Sequence, residues 1–89
     1  MNCKVEISLY GAFRAFNDGA PIVFDAPKGA RLREIKASFL IALKKIAPEG
    51  VDEELLKVSA LADENEIIGA DYLLHQNVSL AILPPVSGG

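Results

Sequence analysis

The chain has few of the residues that most catalytic and metal sites need. Its 89 residues include one cysteine, one histidine and no tryptophan. Because a disulfide needs two cysteines, Cys3 cannot form one within the chain, which fits a reducing compartment and leads us to expect a cytoplasmic protein. A zinc site needs three or four Cys, His or carboxylate ligands at recurring spacing, and the sequence has no such pattern. We therefore expect no metal and no bound cofactor.

Long apolar runs are also absent. No stretch approaches the ~20 apolar residues of a membrane-spanning helix. Lys4 and Glu6 interrupt the N-terminus before the apolar region of a signal peptide could form, so we expect no membrane partner. With 51% apolar and 24% charged residues, the chain can bury one small core. We predict one domain over residues 1–83, followed by an extended tail over residues 84–89.

Basic residues are unevenly distributed, and none follows Lys57. The net charge is −3, and because phosphate binding needs a basic surface, we expect no nucleic-acid partner. Residues 28–45 hold six of the nine bases, whereas residues 49–71 hold eight of the twelve acids. This polarity indicates either two solvated faces of opposite sign or a surface that steers a charged partner.

Two segments alternate between apolar and other residues with the period of a half-buried strand. Their alternating positions are Cys3, Val5, Ile7 and Leu9 near the start, and Val78, Leu80 and Ile82 near the end. Between them, turn-forming residues 11–21 precede a short strand at 22–24, and a further strand is predicted over 57–62. We expect the first and last strands to be neighbours at the centre of one sheet.

A helical period is present over residues 31–47. The predicted buried stripe consists of Leu32, Ile35, Phe39, Leu43 and Ile46. Ile41 falls on the opposite side, and Pro48 ends the helix. Asp52 is predicted to cap a short helical turn over residues 53–55. Because the stripe needs a sheet to cover it, the element order predicts an α+β protein of the β-grasp type, a mixed sheet packed on one main helix.

Conventional catalytic groups are nearly absent from the sequence. A Cys–His pair would have to join Cys3 to His75, but Cys3 is in phase with the apolar residues of its strand, and His75 lies in a polar segment. The acids at residues 52–54 and 63–66 lack the spacing of a calcium loop. Lys28-Gly29 lacks the other residues of a phosphate-binding loop. We expect no active site of the usual kind.

The last six residues form an unusual segment. They are Pro84, Pro85, Val86, Ser87, Gly88 and Gly89. Prolines favour a stiff, extended backbone, and glycines carry no side chain, so this segment could reach ~20 Å and pass its terminal carboxylate into a narrow pocket. The alternative is a frayed chain end without a role.

At this ending the sequence resembles the ubiquitin-like sulfur carriers, above all the small subunit of molybdopterin synthase. The residues that carry the resemblance are Leu83-Pro84-Pro85-Val86-Ser87-Gly88-Gly89. The segment from Val5 to Arg14 is similar to the first strand and loop of that family. Ala15 follows Arg14 where many members have Glu, and the turns at 63–66 and 75–78 also depart from the family pattern. These departures lie in turns and leave the ending intact.

The resemblance implies that Gly89 is the reactive residue. In the family, an ATP-dependent, E1-like adenylating enzyme converts the terminal carboxylate to an acyl-adenylate, and a sulfur donor then displaces AMP to leave a thiocarboxylate. The chain would be the non-catalytic, sulfur-donating subunit of molybdopterin synthase, and its tail would enter the large subunit. The residues expected to line that partner's channel are Pro84, Pro85, Val86, Ser87 and Gly88.

Three other functions remain open at this point. The same chemistry could serve thiamin, tungsten-cofactor or cysteine synthesis. The chain could instead be a ubiquitin-like modifier whose Gly89 is joined to lysines of target proteins. It could also be an interaction domain with an unreactive tail.

Overall fold

The structure, a computed structural model, describes residues 1–85 and contains a four-stranded sheet and two α-helices. The elements are β1 (Asn2–Leu9), β2 (Ile22–Pro27), α1 (Leu32–Ile46), α2 (Glu53–Val58), β3 (Ala60–Ala62) and β4 (Val78–Leu83). The strand order is β2-β1-β4-β3, with β1 and β4 parallel and both outer pairs antiparallel. The predicted α+β fold, its mixed sheet and its central strand pair are confirmed.

The alternation in β1 and β4 places their apolar residues on one face of the sheet. In the register of the two strands, Ile7 lies beside Leu80 and Leu9 beside Ile82. These four side chains are at most 6% exposed. The buried faces of β1 and β4 therefore form one side of the core, as the period of two predicts.

Helix α1 covers this face of the sheet. Its fully buried residues are Ile35, Phe39 and Leu43. Ile41 is 60% exposed, as predicted, but Ile46 is 47% exposed, so its assignment to the core is wrong. Ile46 is the last residue of the helix, and the backbone of Ala47 after it is no longer helical. Neither helix in residues 1–85 has the length and hydropathy needed to cross a membrane.

Helix α2 is longer than the sequence predicts. Asp52 Oδ1 accepts the backbone N–H of Leu55 at 3.0 Å, which confirms the predicted cap. The helix then continues to Val58, so the assignment of Lys57 and Val58 to a strand is wrong, and β3 begins only at Ala60. The helix buries Leu56 in the core, and this packing outweighs the strand preference of the segment.

Candidate functional site

The tail leaves the domain at the end of the sheet where the C-terminus of β1 also lies. Because β1 and β4 are parallel neighbours, their C-terminal ends lie side by side, with Leu9 beside Ile82. Pro84 follows β4 directly, and Gly11 lies two residues beyond β1. The loop after β1 is therefore placed next to the first residues of the tail.

Gly11 lies so close to Pro84 that a larger residue would force one of the two to shift. A Cβ atom built on Gly11 would lie 2.6 Å from Cγ of Pro84, well inside normal contact distance. Gly11 also has a φ of +57°, a conformation that favours glycine. Pro84 is half-buried in this contact, whereas Pro85 is exposed. The contact therefore fixes the position of Pro84, the first residue of the tail.

The loop that holds Pro84 is anchored in the core. Gly11–Phe13 form a 3₁₀ turn, in which the N–H of Phe13 donates to the carbonyl of Tyr10 at 3.1 Å. Phe13 is 1% exposed, and its ring lies 6.4 Å from that of Phe39 in α1. Displacing the loop would therefore expose a buried aromatic side chain. Pro84, which we call the root of the tail, therefore has a defined position.

Small side chains surround this root on the sheet face away from α1. Ser8, Ala81 and Ala62 lie in one row across β1, β4 and β3, and Ala60 pairs with Leu83. Leu83 is 39% exposed beside them. A protein that approached the tail from this side would meet these small side chains and the exposed part of Leu83.

The predicted roles of Val86, Ser87, Gly88 and Gly89 fall outside the residues that the structure describes. They remain predictions. Contact of Pro84 and Pro85 with a partner's channel is likewise a prediction, because no partner chain is present. The described residues show the contact of Gly11 with Pro84 at the root of the tail.

The lone cysteine and histidine occupy the ordinary positions that the sequence predicts. Cys3 is 6% exposed on the buried face of β1. His75 is exposed, and its Nδ1 lies 3.3 Å from the carbonyl oxygen of Leu73. Within residues 1–85, no group of three or more His, Cys, Asp or Glu side chains is arranged to hold a metal ion.

Three titratable side chains of the described part of the chain have shifted pKa values, each with a structural cause. Two backbone N–H groups, from Asn65 and Glu66, lower the pKa of the Asp63 carboxyl. Desolvation lowers the pKa of Lys36. Burial raises the pKa of Tyr72, and the neighbouring Asp63 and Cys3 raise it further. These shifts arise from turn geometry and burial, so they do not indicate an acid–base centre.

Sequence reasoning missed Gly11 as part of this site. The sequence places Gly11 in a turn. Its contact with Pro84 follows only once β1 and β4 are known to be parallel neighbours. The available signal was a glycine soon after the first strand, combined with the expectation that this strand adjoins the one before the tail.

Solved structures share the fold of this chain, including the following three, whereas no protein-family model and no curated protein matches the sequence. SAMP1 from Haloferax volcanii has a TM-score of 0.69 and 18% identity, with 97% of this chain and 99% of that protein covered. A putative molybdopterin converting factor, subunit 1, from Pyrococcus furiosus has a TM-score of 0.67 and 23% identity over 94% and 99% of the two chains. The Haloferax volcanii HVO 2177 protein has a TM-score of 0.67 and 16% identity over 99% and 88%.

These likenesses extend over nearly the whole of each chain. At such low sequence identity they establish the fold. They confirm the β-grasp fold that the sequence predicts. The chain has the ubiquitin-like β-grasp fold of SAMP1 and the Pyrococcus furiosus protein.

Proposed function

We propose that this chain is a sulfur carrier that is adenylated and then thiocarboxylated at Gly89, and that it donates this sulfur as the small subunit of molybdopterin synthase. The observation that carries the proposal is the combination of a β-grasp fold with the ending Pro-Pro-Val-Ser-Gly-Gly. The shared fold of the putative molybdopterin converting factor subunit of Pyrococcus furiosus is in agreement with this pathway.

The proposed chemistry begins at the terminal carboxylate of Gly89. A carboxylate oxygen attacks the α-phosphorus of ATP on an adenylating enzyme, and pyrophosphate leaves. Sulfide (HS⁻) delivered by a sulfur donor then adds to the acyl carbon and loses its proton, and AMP departs with its oxygen. The product is a thiocarboxylate, in which one sulfur has replaced one oxygen. The large subunit of the synthase accepts this sulfur for the molybdopterin precursor.

The role of the carrier in this scheme is presentation. Its partners supply the activating and transferring groups, so the chain needs no acid, base or metal of its own. The contact between Gly11 and Pro84 supports this role, because it holds the root of the tail at one end of the sheet. The two glycines at the end would then fit a channel that is too narrow for larger side chains.

Deletion of the gene in the native cell tests which pathway the carrier serves. We expect the deletion to remove molybdopterin, wild-type chain to restore it, and chain lacking Gly89 to leave it absent. A matched variant, Ile41→Ala, changes an exposed residue of α1 and should restore molybdopterin fully. Normal molybdopterin levels in the deletion strain, with a new requirement for thiamin or cysteine, would contradict the assignment to this pathway.

A ubiquitin-like modifier is the second candidate, because the ubiquitin-like fold and the Gly-Gly ending suit both functions. Both functions begin with the acyl-adenylate of Gly89. They differ in the nucleophile that finally attacks the acyl carbon, which comes from a sulfur donor for a carrier and is a lysine amine for a modifier. Proteomic analysis of native cells distinguishes them. Target lysines carrying the C-terminal peptide of this chain would favour the modifier.

A further inference from the structure

A groove of about 620 Å³ lies between the first turns of α1 and helix α2, and nothing in the proposed sulfur chemistry uses it. Its apolar lining consists of Leu32, Ala37, Leu40, Leu56 and Ala70. Its charged lining consists of Arg31, Arg33, Lys36, Lys57, Glu53 and Glu54. The volume falls in the range of ordinary ligand pockets, about 300–1,000 Å³. The groove is therefore large enough to take a side chain of a partner.

The groove has the opposite charge to the rest of the chain. Four bases and two acids line it, whereas the whole chain has a net charge of −3. One of the two acids, Glu53, is already paired with Lys44, whose Nζ lies 2.7 Å from its carboxylate. The local charge therefore favours a negatively charged occupant.

The bases have different roles. Lys36 donates to the carbonyl oxygens of Lys57 and Ser59, so its ammonium group ties the end of α2 to α1. In residues 1–85, the guanidinium groups of Arg31 and Arg33 form no ion pair, and both residues are exposed. These two arginines are therefore available to bind the carboxylates of a partner, for which the guanidinium fork is well suited.

The apolar lining determines the kind of partner. Leu32 and Leu40 are half-buried and line the groove between the charged groups. A nucleic-acid backbone would satisfy the arginines but would leave this apolar surface unused. A peptide segment with leucine-like side chains between acidic residues matches both features, because amphipathic helices bind grooves in this way.

The groove also lies near the root of the tail. Ser59, whose carbonyl binds Lys36, precedes Ala60, and Ala60 pairs with Leu83 at the end of β4. A protein that held the tail would therefore be within reach of the groove. From these observations we propose that the groove between α1 and α2 binds an acidic, leucine-bearing segment of a partner protein.

Nuclear magnetic resonance titration of the full, ¹⁵N-labelled chain tests this proposal. The probe is a synthetic helix-forming peptide with leucines one turn apart between glutamates. Matched peptides replace the glutamates by lysines or the leucines by alanines, and a short single-stranded RNA serves as a further ligand. We expect saturable shifts confined to the residues around the groove with the acidic leucine peptide, weaker binding with added salt, and no comparable binding of the other three ligands.

Charge reversal locates the interaction on α1. The double variant Arg31→Glu with Arg33→Glu should bind the acidic peptide at least roughly tenfold more weakly. Lys45→Glu changes a base of α1 that borders a different depression, and should bind within about twofold of wild type. Spectra of the free variants show whether they are folded, and Lys57→Glu repeats the test from α2 if the double variant is not.

Several results would overturn the proposal. These are absence of saturable shifts, shifts confined to another surface, equal binding of the lysine, alanine or RNA ligand, or equal loss of affinity in Lys45→Glu. None of them bears on whether Gly89 carries sulfur, so the two proposals can fail separately.

Discussion

Gly11 and Pro84 are in direct contact at the point where the tail leaves the domain. A Cβ atom at Gly11 would lie 2.6 Å from Cγ of Pro84. The two residues are 73 positions apart in the sequence and meet because β1 and β4 run parallel side by side. The loop of Gly11 is in turn held by Phe13, which is buried against Phe39. The core thus determines the starting position of the tail.

Replacing Gly11 by alanine should disturb the root of the tail. The left-handed backbone alone should lower the free energy of unfolding by about 1–2 kcal/mol, and the clash with Pro84 should add to this loss. Gly29→Ala is the matched control, since Gly29 has a φ of +92° but no atom within 4 Å of the added Cβ. We expect Gly11→Ala, but not Gly29→Ala, to shift the resonances of Leu83 and Pro85 and to slow sulfur transfer. Equal effects of the two variants would show that the contact is unimportant.

Phe39 is expected to be a major contributor to the core. It is fully buried, and its ring centre lies 5.9 Å from that of Phe24. Phe39→Ala should lower the free energy of unfolding by about 3–5 kcal/mol, because it removes buried contacts and leaves a cavity. Ile41→Ala, on the exposed side of the same helix, should change it by less than about 0.5 kcal/mol. Urea unfolding measures both, and similar values would contradict the assignment of the buried stripe.

Lys36 should stabilise the end of α2. Its ammonium group donates to the carbonyls of Lys57 and Ser59. Lys36→Met keeps most of the side chain but removes these bonds, and should lower the free energy of unfolding by about 1.5 kcal/mol, the low end for bonds to a charged group. Lys45→Met, at an exposed lysine of the same helix, should have little effect. The prediction fails if urea unfolding gives equal stabilities for the two variants.

Asp63 should make stability fall in acid. Its carboxylate accepts N–H groups of Asn65 and Glu66 at 2.8 Å, so its pKa is lower in the folded chain than in the unfolded one. Between the folded value and an unfolded value of about 3.9, the unfolded chain binds more protons. The stabilisation by Asp63 is therefore complete above that range and is lost as the pH falls through the folded pKa.

Urea unfolding of wild type and Asp63→Asn from neutral pH down to acid checks this expectation. The difference in free energy of unfolding between the two proteins should be constant near neutral pH and should shrink below about pH 4. Glu64→Gln is the control, because it changes an exposed acid of the same turn. A difference that stays constant or grows in acid would show that Asp63 does not supply this pH dependence.

The sequence predicts the elements whose pattern is regular over several residues. The period of two in β1 and β4 and the helical stripe around Phe39 lead to the correct sheet and helix, because burial on one face imposes these periods. Helix α2 was harder to predict, since Lys57 and Val58 read equally well as a strand. The burial of Leu56 and the bonds from Lys36 decide it, and these depend on the tertiary structure.

The site is only partly predictable for the same reason. The role of the ending follows from a resemblance, because its two prolines and two glycines form a short and specific pattern. The contact between Gly11 and Pro84 depends on which strands are neighbours and on their register, and no local pattern encodes that. The basic groove likewise combines residues of α1 with residues of α2, so the clustering of bases in the sequence indicated a charged face without its apolar lining.

Intact-mass analysis of the carrier is the most direct test of the central claim, that the working atom is the acyl carbon of Gly89. The chain, an adenylating enzyme, ATP and a sulfur donor are incubated together, and the C-terminal peptide is then sequenced by mass spectrometry. We predict that one oxygen of Gly89 is replaced by sulfur, only when ATP is present, and that chain lacking Gly89 or extended beyond it is unchanged. Sulfur on another residue, or equal sulfur uptake by the chain lacking Gly89, would contradict the account.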